Sequence, residues 1–391
     1  MVERWKRWFA IWKAQFHLSK MSNNRCERND EVLIIKLDAI GDFVIWLDSA
    51  KEYRNLFPQK KLCLLCNEIC RLIAENTGYF DKVFTVDMKK FEVDKVYFSQ
   101  IINQMKSLSF EALIQTEYSR TLHMDMLAAL IPAREKIGYE CDESRLNLSR
   151  SFVLKKNKRR LDYIYDRIIP ADVSYKMELK RNADFIRGLG LSNFKSSTPK
   201  LKTNEKEKGL VPGESYFIIF PGGSSQIKSW RIEHFAEVTD YLLNKTDMVA
   251  YICGSKAESN LYDQIVQYSC YKKRVVNYCG KTNLLQLAEI VRGARIVVTN
   301  DTSGAHFAAA TGVKAVCIMG DQSYGRFLPY DADANQDHVM VCDANVRCKG
   351  CVYRGMSMKC IVHILLKRRY LCVDLVKVSA VKSVLDKAMI E

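Results

Sequence analysis

Short apolar runs alternate along most of this chain with longer stretches in which apolar residues recur at helical spacing. The first run, from Val32 to Leu37, is apolar at nearly every position, the pattern of a strand buried on both faces of a parallel sheet. Further strands are expected at 62–66, 82–86, 112–115 and 136–139, with helices at 43–56, 68–76, 93–108 and 125–130. Residues 196–215, rich in Lys, Ser, Thr, Glu, Pro and Gly, then break the pattern and read as a linker. The rhythm restarts with strands at 216–220, 249–253, 274–277, 295–299 and 315–319. Helices are expected between them at 232–244, 254–268, 284–293 and 307–311. Strand–helix alternation implies parallel sheets joined by right-handed crossovers, an α/β class. Two successive halves, 31–195 and 216–340, suggest two Rossmann-like domains with parallel sheets facing across a cleft.

Three strand-to-helix turns carry candidate chemistry. The run 32–37 ends in Asp38-Ala39-Ile40-Gly41-Asp42. Gly41 permits close backbone approach, and the Asp42 carboxylate opens a helix where α/β sheets bind ligands, a position suited to a general base. The plainer reading is a helix-start Asp favoured by the dipole. No GxGxxG occurs there, so a dinucleotide fingerprint is absent. The run 216–220 leads into Pro221-Gly222-Gly223-Ser224, with Lys228 and Trp230 following. Such a loop can lay its backbone against a phosphate while Lys228 supplies a point charge; alternatively it is a flexible turn with a solvated lysine. The third turn, Asn300-Asp301-Thr302-Ser303-Gly304-Ala305-His306, joins a strand to a helix N-terminus. Free N–H groups and the dipole make that end an anion site, and ordinary N-capping explains the same residue types. Two phosphate-type turns at the carboxyl ends of strands in one domain favour a single diphosphate ligand.

Composition narrows the partners. The 391 residues carry a net charge of +15 with 48% hydrophobic content, so the chain has ample core and favours anionic ligands. Basic residues are interspersed with acidic ones and no nucleic-acid motif occurs, so nucleic acid is not expected as a partner. No apolar run approaches the length of a bilayer span, and no secretory signal is evident at the N-terminus. The 14 cysteines, several inside strands, read as reduced core thiols and point to the cytoplasm. Within 1–30, Trp5, Trp8, Phe9, Trp12 and Phe16 fall on one helical face beside Arg4, Lys6, Arg7 and Lys13. That pattern fits residues 4–16 lying on an anionic membrane surface, or packing on protein; the former would make the protein peripheral on the inner face of the cytoplasmic membrane.

Taken together and in order, these three motifs resemble glycosyltransferase family 9, the heptosyltransferases of bacterial surface-polysaccharide assembly. The resemblance runs from about residue 31 to the C-terminus. It implies a GT-B fold, no metal or other cofactor for catalysis, inversion at the anomeric carbon and an ADP-heptose-type donor. The acceptor it implies is a surface glycan or glycolipid such as lipopolysaccharide core. By the resemblance Asp42 is the base. Lys228 meets the donor phosphates, with Ser224 the hydroxyl before it. Asp301, Thr302, Ser303, Gly304 and His306 line the donor, and Glu258 contacts the ribose. Ser303 stands where the commoner pattern has the glycine of Asp-Thr-Gly.

The acceptor leaves a fainter trace. Tyr118-Ser119-Arg120, at the end of a strand, is the better candidate for acceptor contact, with Arg120 as the binding residue. The basic run 155–160 reads as a solvated face. In the segment 341–391, expected to cross back to the first domain, Cys348, Cys351, Cys360 and Cys372 form a candidate structural zinc or iron site, or a set of free thiols. Two other functions fit the same turns: a sugar-nucleotide epimerase, which needs no acceptor, and a non-catalytic sugar-nucleotide-binding protein.

Overall fold

The computed structural model describes residues 29–140, 162–175, 177–223, 225–330, 338–347, 350–351 and 356–390. Packing divides them into two units. The first gathers the segment ending at Ala39 with Ser49–Val173 and Arg181–Phe194; the second gathers Ile40–Asp48, Ser174–Lys180 and the chain from Lys195 onward.

In the first unit β1 (Glu31–Lys36), β2 (Lys61–Asn67), β3 (Lys82–Val86), β4 (Phe110–Gln115), β5 (Ala133–Tyr139) and β6 (Arg167–Ile169) form one parallel sheet ordered β3-β2-β1-β4-β5-β6. After β1 comes α1 (Ile40–Ala50), most of which groups with the second unit; the helices of the first unit are α2 (Tyr53–Leu56), α3 (Arg71–Thr77), α4 (Met88–Val93), α5 (Lys95–Lys106), α6 (Leu122–Leu130) and most of α7 (Glu178–Leu189). The division between the units falls inside α1 and α7. β1 is central, and Val32, Leu33, Ile34 and Ile35 are all buried, as an apolar run between two parallel neighbours requires.

The expected helix 93–108 is α5, starting at Lys95 because Asp94 caps it through hydrogen bonds from the Val96 and Tyr97 amides; the short α4 before it is not among the expected helices. The expected helix 43–56 starts earlier, at Ile40, so Gly41 and Asp42 lie inside its first turn, and it breaks at Lys51.

The second unit repeats the plan with β7 (Tyr216–Phe220), β8 (Val249–Ile252), β9 (Val275–Asn277), β10 (Val297–Asn300), β11 (Ala315–Ile318) and β12 (Val339–Cys342), ordered β12-β11-β10-β7-β8-β9. Around it lie α8 (Ile232–Lys245), α9 (Ser259–Tyr268), α10 (Leu284–Gly293), α11 (Ser303–Thr311), α12 (Met358–Lys367), α13 (Leu371–Asp374) and α14 (Val378–Ile390).

Val381, Leu385 and Ala388 of α14 enter the same core as Phe235, Leu242 and Val316. The C-terminal segment expected to cross back is therefore held by this second core. Residues 196–215 likewise pack along the second unit: the Leu201 amide donates to the Ala310 carbonyl, and the Asn204 amide to Glu289. Each sheet reverses its strand order at one place, between β1 and β4 and between β7 and β10. In open α/β sheets such reversal points are where ligands bind.

Candidate functional site

At the second sheet's reversal point the two expected phosphate turns meet. β7 and β10 are parallel neighbours, paired Val298 to Ile219 and Thr299 to Phe220, so their following loops emerge side by side. Asn300, fully buried, ties them together. Its Nδ2 donates to the Pro221 carbonyl at 2.7 Å and the Gly222 carbonyl at 3.1 Å, and its Oδ1 accepts from the Trp230 amide at 2.9 Å. A Cβ on Gly223 would come within 3.1 Å of Thr302 Cγ2, so the loops are in van der Waals contact. Gly304 is fixed by packing: a Cβ there would sit 2.6 Å from the Phe220 ring and 2.9 Å from Thr299 Oγ1. Only glycine lets α11 begin this close to β7.

The capping reading of Thr302 fails in one respect. Thr302 occupies the N-cap position of α11, yet its side chain makes no cap hydrogen bond; the hydroxyl lies 3.2 Å from Thr299 Oγ1 instead. The first turn of α11 thus has no side-chain cap, an arrangement suited to an anion. Asp301, Thr302 and Ser303 are half-buried around that turn.

Lys228 closes a short 3-10 turn, Gln226–Lys228, and is half-buried. That turn is braced from the C-terminal segment: the Tyr370 amide donates to the Ile227 carbonyl at 2.8 Å, and Arg369 Nε donates to the Ser229 carbonyl at 2.6 Å. Arg231 binds Asp374 through two hydrogen bonds of 2.5 and 2.7 Å, and this guanidinium holds the Asp374 carboxyl below its usual range. Ser224 lies outside the described residues.

Beside the loop is a cavity of about 500 Å³ lined among others by Gly222, Gly223, Gln226, Glu258, Gln264 and Arg369. Glu258 spends one carboxylate oxygen on a capping box, accepting from the Ser255 amide and hydroxyl, both at 2.7 Å. Its other oxygen abuts Gly222, where an added Cβ would collide at 1.8 Å. Glu258 is thus fixed against the glycine loop with its carboxylate on the cavity wall.

His306 is buried one turn into α11, its Nδ1 2.9 Å from the Tyr330 hydroxyl. Burial lowers its pKa to about 4, so the ring is neutral at pH 7. Burial also raises the Tyr330 phenol far above its ordinary value, so the phenol keeps its proton. Against the imidazole lies Gly41: a Cβ there would come 3.1 Å from His306 Cδ2 and 3.6 Å from Ser303 Cα. Asp42, the next residue, stands in the first turn of α1 with its side chain half-buried. Residues 40–48 group with the second unit, which also holds Ser303 and His306.

The first sheet's reversal point is built from charge. Lys36, 1% exposed, pairs with Asp38 at 2.5 Å, and Glu117 Oε1 accepts from the Leu37 amide at 2.6 Å. Arg120 is also buried. It pairs with Asp162 at 2.5 Å, lies 3.7 Å from Asp125, and stacks on the Tyr165 ring at 4.8 Å. Burial raises the Asp125 pKa, and Arg120 opposes that rise. The expected acceptor residue is therefore a buried, ion-paired side chain.

Residues 4–16, the basic run 155–160 and Cys348 lie outside the described residues. Cys351, Cys360 and Cys372 are buried, and all three thiols act with burial to raise the Tyr370 phenol pKa, which places them near that ring. Burial pushes the Cys372 thiol up to about 11. Among the described residues no group of three or more His, Cys, Asp or Glu is arranged to hold a metal ion. The cysteines recorded as free include Cys63, Cys66 and Cys342, each pushed up to about 12 by burial, as packed core thiols are.

Asn300 stands inside a motif that the sequence makes visible, but its role as a clamp depends on which loops are neighbours. Arg369 and Asp374 leave no comparable signal, since their partners lie some 140 positions away.

A sequence model described as glycosyltransferase family 9 (heptosyltransferase) matches residues 103–362. Lipooligosaccharide heptosyltransferase 2 of Campylobacter jejuni subsp. jejuni serotype O:2 is 26% identical over 160 residues, covering 41% of this chain and 46% of that protein. The chain thus matches about half the length of that relative. A solved family 9 glycosyl transferase from Veillonella parvula superposes with a TM-score of 0.68 at 16% identity, covering 94% of this chain and 99% of that one. Escherichia coli heptosyltransferase WaaC, solved with ADP-2-deoxy-2-fluoro heptose, gives 0.64 at 16% identity over 91% of this chain and 99% of that one. At these identities the likeness establishes the fold: two doubly wound α/β units of the GT-B type.

Proposed function

The chain belongs to glycosyltransferase family 9, and on that premise we propose that it transfers a heptose-like sugar from an ADP-heptose-type donor to a bacterial surface glycan such as lipopolysaccharide core. The observation that carries this reading is the pair of loops after β7 and β10, pinned together by Asn300 beside an α11 start that has no side-chain cap. Backbone N–H groups, Thr302, Ser303 and Lys228 then receive the diphosphate, and Glu258 takes the ribose hydroxyls on the cavity wall.

The reaction is one displacement. The acceptor oxygen bonds to the anomeric carbon as the bond from that carbon to the diphosphate oxygen breaks. Asp42 takes the acceptor proton, the leaving nucleotide takes the electron pair, and the anomeric configuration inverts. Charge builds on the leaving diphosphate, where Lys228 and the α11 donors stabilise it without a metal. With Tyr330 donating to Nδ1, neutral His306 carries its proton on Nε2 and adds a donor beside Gly41 without adding charge.

Arg120, with Tyr118 and Ser119, orders the β4 end for acceptor recognition. Cys348, Cys351, Cys360 and Cys372 supply a soft sulfur set suited to structural zinc or iron, with no part in the displacement. The protein works in the cytoplasm at the membrane face where lipid-linked acceptors are built, residues 4–16 adding contact with anionic lipid.

Asp42→Ala tests the mechanism. Turnover should fall ~10²-fold or more while donor affinity stays nearly unchanged. Full activity in that variant would remove Asp42 from the role of base.

A further inference from the structure

α12 presents an apolar face to solvent. Met358, Val362, Leu365 and Leu366 fall at helical spacing on one side and are 71%, 48%, 76% and 74% exposed. The opposite side is spent on the fold: Cys360 is buried, and His363 Nε2 donates to the Asp374 carboxylate at 3.0 Å. A surface helix that exposes large aliphatic residues in a contiguous stripe marks an interaction site.

The charge around that stripe selects the partner. Lys359, Lys367 and Arg368 are exposed on the same helix or at its end. The stretch 344–373 holds seven Lys and Arg residues and no Asp or Glu. The nearest carboxylate in sequence, Asp374, is buried and engaged by Arg231 and His363. A second copy docking through this face would set basic flank against basic flank, with no carboxylate on the element to offset them.

An anionic lipid surface complements both features, aliphatic residues entering the headgroup boundary while long basic side chains reach the phosphates. We propose that α12 is a docking surface for an anionic lipid bilayer, seating Met358, Val362, Leu365 and Leu366 at the headgroup–acyl boundary with Lys359, Lys367 and Arg368 on lipid phosphates. This deepens the reading of a membrane-linked acceptor. It adds a second contact to the one expected of residues 4–16, and firm peripheral attachment takes more than one signal. Arg369, next in sequence, instead braces the Lys228 turn, so the docking helix leads directly into the donor-loop support.

The test is sedimentation of the full-length protein with vesicles of phosphatidylglycerol and phosphatidylcholine at ~0.1 M salt. Because these vesicles carry no glycan, the result is independent of the transferase assignment. Leu365→Gln combined with Leu366→Gln should weaken binding about tenfold or more, the size expected for withdrawing two leucines from an apolar boundary. Lys367→Glu with Arg368→Glu should weaken binding to the anionic vesicles and leave pure phosphatidylcholine unaffected. Unchanged ADP affinity in each variant confirms that the fold is intact. Vesicle binding within about twofold of the parent in the double-leucine variant would overturn the proposal, assigning attachment to another segment. So would a lipid-free oligomer that the leucine changes dissolve while vesicle binding persists, which would assign the face to a second copy.

Discussion

The two sheets share one topology and reverse their strand order at equivalent places, yet the two reversal points are built from different materials. In the second unit the loops after β7 and β10 are held by a neutral amide, Asn300, and shaped by glycines whose missing side chains admit Glu258, Thr302 and Phe220. In the first unit the ends of β1 and β4 hold buried Lys36 and Arg120 in ion pairs with the more exposed Asp38 and Asp162, and buried Glu117 against the Leu37 amide. A backbone cradle suits a group that many ligands share, such as the proposed diphosphate. A set of paired side chains is costly to rearrange, and each pairing fixes a particular surface. The contrast fits a general donor end and a particular acceptor end.

If that division of labour is real, mutations at the two ends should separate cleanly. The largest effect is expected from Arg120→Ala, which leaves Asp125 buried beside the vacated site and should cost about 3–5 kcal/mol of unfolding free energy. ADP affinity should stay within about twofold, since Arg120 belongs to the first unit. Loss of ADP binding in a variant still folded by circular dichroism would break the comparison. Asn300→Ala should show the converse. Withdrawing three buried hydrogen bonds should cost about 2 kcal/mol and also weaken ADP binding, because both loops relax. Calorimetry showing intact donor affinity in that variant would contradict the clamp.

The smallest effect concerns acid. His306 has a folded pKa of about 4, against an unfolded value of about 6.5. The unfolded chain therefore binds the proton first, and stability present above pH 6.5 is lost as pH falls toward 4. By pH 5.5 the loss should reach about 1.4 kcal/mol. His234, also lowered by burial, adds in the same direction. His306→Gln should flatten its share of the slope in denaturant titrations, and an unchanged slope would refute the buried neutral ring.

How much of this was legible beforehand follows from where each signal resides. The central strands are, because burial on both faces demands continuous apolar runs: 216–220 matches β7 to the residue, and 62–66 lies within β2. The short outer strands β6 and β12, three and four residues long, are not, since an edge strand needs less apolar surface and gives little period to read. Helix starts drift for a related reason. Gly41, Asp42, Ser303 and Gly304 look like loop residues but sit inside first turns, where unpaired N–H groups tolerate them. Neither α12 nor α14 is among the expected helices: Val381, Leu385 and Ala388 recur at helical spacing in α14, while α12 shows apolar residues on both its buried and exposed sides and hides its facing. In the candidate site, glycine and hydroxyl motifs mark the β7 and β10 loops because their chemistry is local. The braces from Arg369 and Asp374, and the ion pairs of Arg120, depend on contacts distant in sequence.

We propose above all that the β7 and β10 loops bind the diphosphate of an adenine nucleotide sugar. Calorimetric titration of the full-length protein with ADP, ADP-heptose, UDP and GDP tests it most directly. Selective binding of the adenine compounds is expected, weakened about tenfold or more in Lys228→Ala as a charge-assisted phosphate contact is lost. Equal affinity for ADP in the parent and in Lys228→Ala, or no binding of any nucleotide, would contradict it.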